Sequence, residues 1–206
     1  MSAAFDTLHR ADVPLASSAG RTGAAQRVRR LARTALVLLT GLLAACSTTA
    51  IDDYRGSQPV FDLRQFFDGP LTAQGMFQDR GGKVVRRFTV AMRGSWQGDN
   101  GVLDEQFRYD NGETQRRVWR LRKLPDGQYS GTASDVVGQA AGRTAGFALF
   151  WDYTLRLPLD GKAYEVHFDD WMYQLDAHSV LNRSVLSKLG LRLGEVTLYI
   201  RKEAAP

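Results

Sequence analysis

Val102-Leu103-Asp104-Glu105-Gln106-Phe107-Arg108-Tyr109-Asp110-Asn111-Gly112 is the stretch on which the fold turns. Leu103, Phe107 and Tyr109 alternate with Asp104, Gln106 and Arg108, and a period of two sends the two sets to opposite faces of a strand. Asn111-Gly112 then accepts the positive φ angles of a type I′ turn. A strand that ends on this signal is half of an antiparallel pair, and Glu113 to Leu124 supplies the other half.

The same grammar extends in both directions. Leu71 to Gln78 reads as a strand, with Asp79-Arg80-Gly81-Gly82 as its turn. Lys83 to Trp96 follows, with Phe88, Val90 and Met92 sharing a face, and Gln97 to Gly101 closes that hairpin. Downstream come Gln128 to Val137 and Ala145 to Leu157, joined by the glycine-rich Gly138 to Gly142. On the second of these, Phe147, Leu149, Trp151, Tyr153, Leu155 and Leu157 share a face. Ala163 to Leu175 and Glu195 to Arg201 complete the set, and Ser184 to Leu189 reads as a short helical turn ending at Gly190. The expected fold is therefore all-β: an antiparallel up-and-down barrel of about eight strands, which removes exposed edges by closure. A two-sheet sandwich fits the same periodicity.

The N-terminal part reads as an address. Arg27, Arg29, Arg30 and Arg33 precede an uncharged run from Thr34 to Ala45. A basic cluster, a short apolar core and small residues at its end make a signal peptide over residues 1–45. The run is shorter than the roughly 20 apolar residues of a membrane-spanning helix. Residues 1–26 are long for the start of such a peptide: either its basic region is extended, or the true start lies downstream. Leu42-Leu43-Ala44-Ala45-Cys46 resembles the lipobox of bacterial lipoproteins, in which the cysteine is acylated. Cys46 is the only cysteine, so an intrachain disulfide is impossible. The alternative is a buried helix with an incidental cysteine. Ser47 after the cysteine points, by the same resemblance, to a lipid anchor in the periplasmic face of the outer membrane. Residues 46–60 are expected to be the lipidated cysteine and a tether, and residues 61–203 the barrel domain.

Charge narrows the partners. The chain has 27 basic and 22 acidic residues, but residues 1–45 hold six arginines and two aspartates, which leaves 21 against 20. The basicity belongs to the address, so no nucleic-acid partner is expected. No cofactor is expected either. An outer-membrane barrel is disfavoured because Arg116, Arg117, Arg120, Arg122 and Lys123 occupy both faces of one strand.

Phe168-Asp169-Asp170-Trp171-Met172-Tyr173, then Asn182-Arg183-Ser184, Lys188, Gly190 and Gly194-Glu195-Val196-Thr197-Leu198, together with Asp68-Gly69-Pro70-Leu71-Thr72-Ala73-Gln74-Gly75, resemble a family of bacterial lipoproteins known as domain of unknown function 3833. The resemblance runs from about Phe61 to Lys202 and implies a lipocalin-like barrel. It brings no activity and no catalytic residues. Genes of such proteins often lie beside lipid-modifying enzymes, an association that points toward lipid.

Several side chains are candidates for a site. Adjacent strand residues face opposite ways, so Asp169 goes with His167 and Trp171 while Asp170 goes with Phe168 and Met172. A carboxylate inside the barrel would fix a polar head group or pair with Arg183 or Lys188; a structural ion pair near the rim is the plainer alternative. Phe147, Trp151, Tyr153 and Trp171 would line an apolar pocket or pack a filled core. His167 with Asp169 is the one acid–base pair available, but no positioned nucleophile accompanies it, so an enzyme is not expected. His167 and His178 alone are too few for a metal site without further carboxylates. The expected role is binding or carrying a hydrophobic ligand such as a fatty acid or phospholipid. The alternatives are a filled barrel acting as an interaction module in the envelope, and a lipid-modifying enzyme.

Overall fold

The computed structural model describes residues 49–159 and 161–204. The stretch expected to be a signal peptide, and Cys46, lie outside the described residues. Ten antiparallel strands close into an up-and-down barrel in the order β1-β10-β9-β8-β7-β6-β5-β4-β3-β2. They are β1 (Gly69–Asp79), β2 (Val84–Gln97), β3 (Asn100–Tyr109), β4 (Thr114–Lys123), β5 (Gln128–Thr132), β6 (Ala140–Ala145), β7 (Ala148–Leu159), β8 (Lys162–Gln174), β9 (Ser179–Lys188) and β10 (Leu191–Lys202). The two additional strands are β6 and β9, the stretches expected as a glycine-rich connection and a helical turn. Closure pairs β1 with β10, from Leu71 opposite Lys202 to Asp79 opposite Gly194, so neither terminal strand leaves a row of unpaired backbone groups.

Glycine gives the largest inward side chains room. A Cβ at Gly142 would collide with the Trp151 indole, and one at Gly131 would press on Trp151 and Leu121. The small strands β5 and β6 thus form a seat for the rings of β4 and β7. Trp119 and Trp151 meet edge to face at 6.0 Å, and Tyr153 stacks on Phe168 at 5.1 Å. Such pairs contribute beyond the area they bury, by about 0.5–1.5 kcal/mol each.

One end of the barrel is plugged. Helix α1 (Leu63–Phe66) is N-capped by Asp62, whose carboxylate accepts from the Arg64 and Gln65 amides. Phe61, Leu63, Phe66 and Phe67 are buried there. Asp62 also takes Lys123 Nζ at 2.8 Å, and Trp96 Nε1 donates to the Phe67 carbonyl at 3.3 Å. A side chain at Gly94 would run into that same carbonyl. Residues 51–57, expected as part of a tether, instead pack on the outer wall. Ile51 is buried, and Tyr54 lies edge-on to Phe147, Trp171 and Tyr173.

The wall is uneven between β4 and β7. Pairing of β4 with β5 covers only Arg120 to Lys123, and β6 meets β7 only from Ala141 opposite Asp152 to Ala145 opposite Ala148. Beyond these, residues 133–139 bridge the gap as a loop. Val137 donates to the Thr154 carbonyl and Arg156 to the Asp135 carbonyl, both at 2.8 Å.

Candidate functional site

The barrel encloses a cavity of about 620 Å³, within the range of about 300–1,000 Å³ typical of small-molecule sites. Leu63 and Phe67 of the plug form its floor, and its lining continues to Glu113, Thr114 and Pro158 at the hairpin end. Glu113 is largely exposed there and pairs with Arg86, so the mouth lies at the hairpin end.

The lining is two-sided. Strands β10, β1 and β2 present Ile200, Leu198, Val196, Phe77, Phe88 and Val90, the inward parity of three alternating strands. Strands β3, β4, β7, β8 and β9 carry a polar span among aromatic rings. There Asp170, buried to 5% exposure, accepts from Ser184 Oγ at 2.8 Å, from the Tyr153 hydroxyl at 3.0 Å, and from Asn182 Nδ2. Burial raises its carboxyl above the ordinary range although these three donors pull the other way. Burial, with Asp170 beside it, pushes the Tyr153 hydroxyl well above its usual value.

Glu105 and Arg117 form the second half of the span. Arg117 points its Nε and one terminal nitrogen at Asp135, at 3.0 and 2.8 Å, and its other terminal nitrogen lies 3.8 Å from Glu105. Burial disfavours the Arg117 charge, but Glu105 and Asp135 outweigh it and keep the guanidinium protonated. Glu105 Oε2 accepts from Trp119 Nε1 at 3.2 Å. Burial lifts its carboxyl from 4.5 to about 7, against Arg117 and the Trp119 bond.

Of the residues singled out in the sequence, Asp170, Trp151 and Tyr153 line the cavity. Asp169, Trp171 and Arg183 occupy the opposite parity and lie on the outer wall. Trp171 packs there against Phe150 and Tyr54, and Arg183 pairs with Glu195 at 2.7 Å. Phe147 falls in the β6–β7 turn, so it leaves the inward parity of its strand and packs on Tyr54. Lys188 ends β9 with its ammonium 4.4 Å from the Tyr164 ring centre. The expected partnership of Asp170 with Arg183 or Lys188 is thus replaced by Asn182, Ser184 and Tyr153. Glu105 and Asp135 are not among the site candidates read from the sequence, and Arg117 figures there only as one cation of a charged strand. The signal was there for two of them, since Glu105 shares the parity of Leu103 and Phe107, and Arg117 that of Trp119 and Leu121.

His167 sits on the outer wall between Asp169 at 3.3 Å and Asp152 at 3.4 Å. Asp152 is a further carboxylate beside His167, brought opposite Asp169 by the β7–β8 register, while His178 is not part of the group. One ligand atom from each of the three lies within 4.8 Å of the others, so together they could hold a metal ion. They are half-exposed and turned away from the cavity.

The sequence profile of the family described as "Protein of unknown function (DUF3833)" matches residues 40–202. Among curated proteins none matches. Among solved structures, a de novo designed fluorescence-activating beta barrel aligns with 16% identity, covering 69% of this chain and 99% of that one, at a TM-score of 0.33.

Proposed function

This chain belongs to the DUF3833 family of proteins of unknown function, and we propose that it binds or carries a single hydrophobic ligand of the lipid class within the barrel. The observation that carries this reading is the 620 Å³ cavity between the plug and the hairpin end, apolar along one side and polar along the other. A packed barrel would have filled that space with side chains, since protein interiors leave few voids larger than a water molecule. An acyl chain would lie along the wall of Phe77, Phe88, Val90 and Leu198, and the polar end of the ligand would face Asp170, Tyr153 and Glu105.

In this reading the protein works from a membrane. Acylation of Cys46 would hold it at the periplasmic face of the outer membrane, because several chains on one residue anchor stably where one does not. Cys46→Ala should abolish labelling by radioactive palmitate, and persistent labelling would refute the anchor. The lipid-modifying alternative gains nothing from the cavity, because His167 and Asp169 face outward.

Mass spectrometry of organic extracts of the purified protein tests the binding reading. A co-purifying lipid near one per chain supports it. An empty extract, with no saturable uptake of fluorescent lipids, would favour an interaction module instead.

A further inference from the structure

The charge inside the cavity carries the ligand-binding reading one step further. The polar span of the lining holds two carboxylates, Glu105 and Asp170, and one guanidinium, Arg117, which pairs with Asp135. Arg117 is already committed: its Nε and one terminal nitrogen bond Asp135, and the remaining nitrogen faces Glu105. The other cation of the lining, Arg86, pairs with Glu113 at the mouth. An incoming carboxylate would therefore find no free cationic partner among these residues and would sit beside the carboxyl groups of Glu105 and Asp170. Desolvated like charges disfavour one another strongly.

Donors face the opposite situation. Asp170 already accepts three hydrogen bonds, from Asn182, Ser184 and Tyr153. On Glu105 the Trp119 indole and Arg117 both address Oε2, and Oε1 receives no hydrogen bond among the described residues. A lining carboxylate oxygen without a donor is an acceptor waiting for one.

We propose that the cavity selects amphiphiles whose polar end donates hydrogen bonds, long-chain amines above alcohols, and discriminates against free fatty acids, with Glu105 as the residue that meets the donor. This rests on the ligand-binding reading and names the ligand's chemistry. The amine's preference comes from charge pairing with Glu105, and the alcohol's from the hydrogen bond alone. Both place the tail against the apolar wall of β10, β1 and β2.

The test is competition for the cavity of the full chain carrying Cys46→Ser, so that no attached acyl chain competes. A neutral fluorophore, N-phenyl-1-naphthylamine, reports occupancy, and dodecylamine, dodecanol and dodecanoate displace it at about pH 8. Dodecylamine should displace the probe at a concentration at least about tenfold below that of dodecanoate, a difference of about 1.4 kcal/mol, with dodecanol between them. Glu105→Gln should narrow the gap between amine and alcohol. Dodecanoate displacing the probe as well as the amine, or a gap unchanged by Glu105→Gln, would overturn the selectivity while leaving the binding reading intact. Failure of the probe to bind saturably would remove the binding reading itself, and the selectivity with it.

Discussion

Replacing Glu105 by glutamine should make the protein more stable, and by an amount that depends on pH. Burial raises the Glu105 carboxyl from 4.5 to about 7. For an acid whose folded pKa is raised, the native state keeps a proton that the unfolded chain has released. Its stability contribution is therefore whole below about pH 4.5, declines as pH rises through the window, and reaches its minimum above about pH 7. A shift of this size corresponds to about 3 kcal/mol. The side chain is 14% exposed, and that exposure is to the cavity, so solvent there trims the figure toward about 2 kcal/mol. Glutamine is shaped like the protonated acid and keeps an acceptor for Trp119 Nε1. Urea unfolding followed by tryptophan fluorescence, repeated at steps of pH, should show the two proteins equal in mild acid. By about pH 8 the variant should lead by about 2–3 kcal/mol, roughly 4–12 °C in Tm for a domain of this size. An offset that stays constant across that range, or a variant less stable than the parent in alkali, would refute the assignment of a buried, proton-holding carboxyl.

Other perturbations read different parts of the structure. Arg117→Met leaves Glu105 and Asp135 without their shared cation and should cost about 3–5 kcal/mol in chemical denaturation. Gly94→Ala puts a methyl group onto the Phe67 carbonyl; a loss of at least about 2 kcal/mol is expected, against little change at the exposed Gln65→Ala, and a tolerated alanine would mean that the plug sits farther from β2. Asp62 is held below the usual carboxylate range, burial notwithstanding, by Lys123 and the amides of Gln65 and Arg64. Its contribution is present above about pH 4 and lost as pH falls through the depressed pKa. Asp62→Ala should therefore cost about 1–2 kcal/mol near neutrality and less in acid. Leu189 stands 94% exposed at φ +50° in the β9–β10 turn. Leu189→Asn, which tolerates that geometry, should raise stability by about 1 kcal/mol, visible as a higher urea midpoint.

The hairpins were legible because their turns are written in Asn, Asp and Gly and their strands alternate cleanly. The two strands that carry no such signal, β6 and β9, are the ones whose inward positions do unusual work. β6 turns Ala140 and Gly142 inward because the Trp151 indole occupies the space, so it shows none of the bulky apolar residues that mark a strand. β9 alternates Val180, Asn182, Ser184 and Leu186, and the two middle residues serve Asp170. A polar pair at inward positions erases the period of two and mimics a helix start. The separation of Asp169 from Asp170 followed from alternation alone. The meeting of Asp170 with Asn182 and Ser184 did not, because it depends on the β8–β9 register, which no local pattern encodes.

The loop of residues 133–139 has a consequence for how such a barrel diversifies. Elsewhere the lining is written on strands locked to both neighbours, so inserting one residue would flip every side chain beyond it to the other face. Between β4 and β7, beyond the short pairings of β5 and β6, the wall is held by the Val136–Leu155 bridge with its two main-chain bonds and by the Arg117–Asp135 pair. Length there can change without moving any other part of the ladder. Across related sequences, insertions and deletions should therefore concentrate at this one panel, and cavity size should follow its length while the rest of the cylinder stays in register.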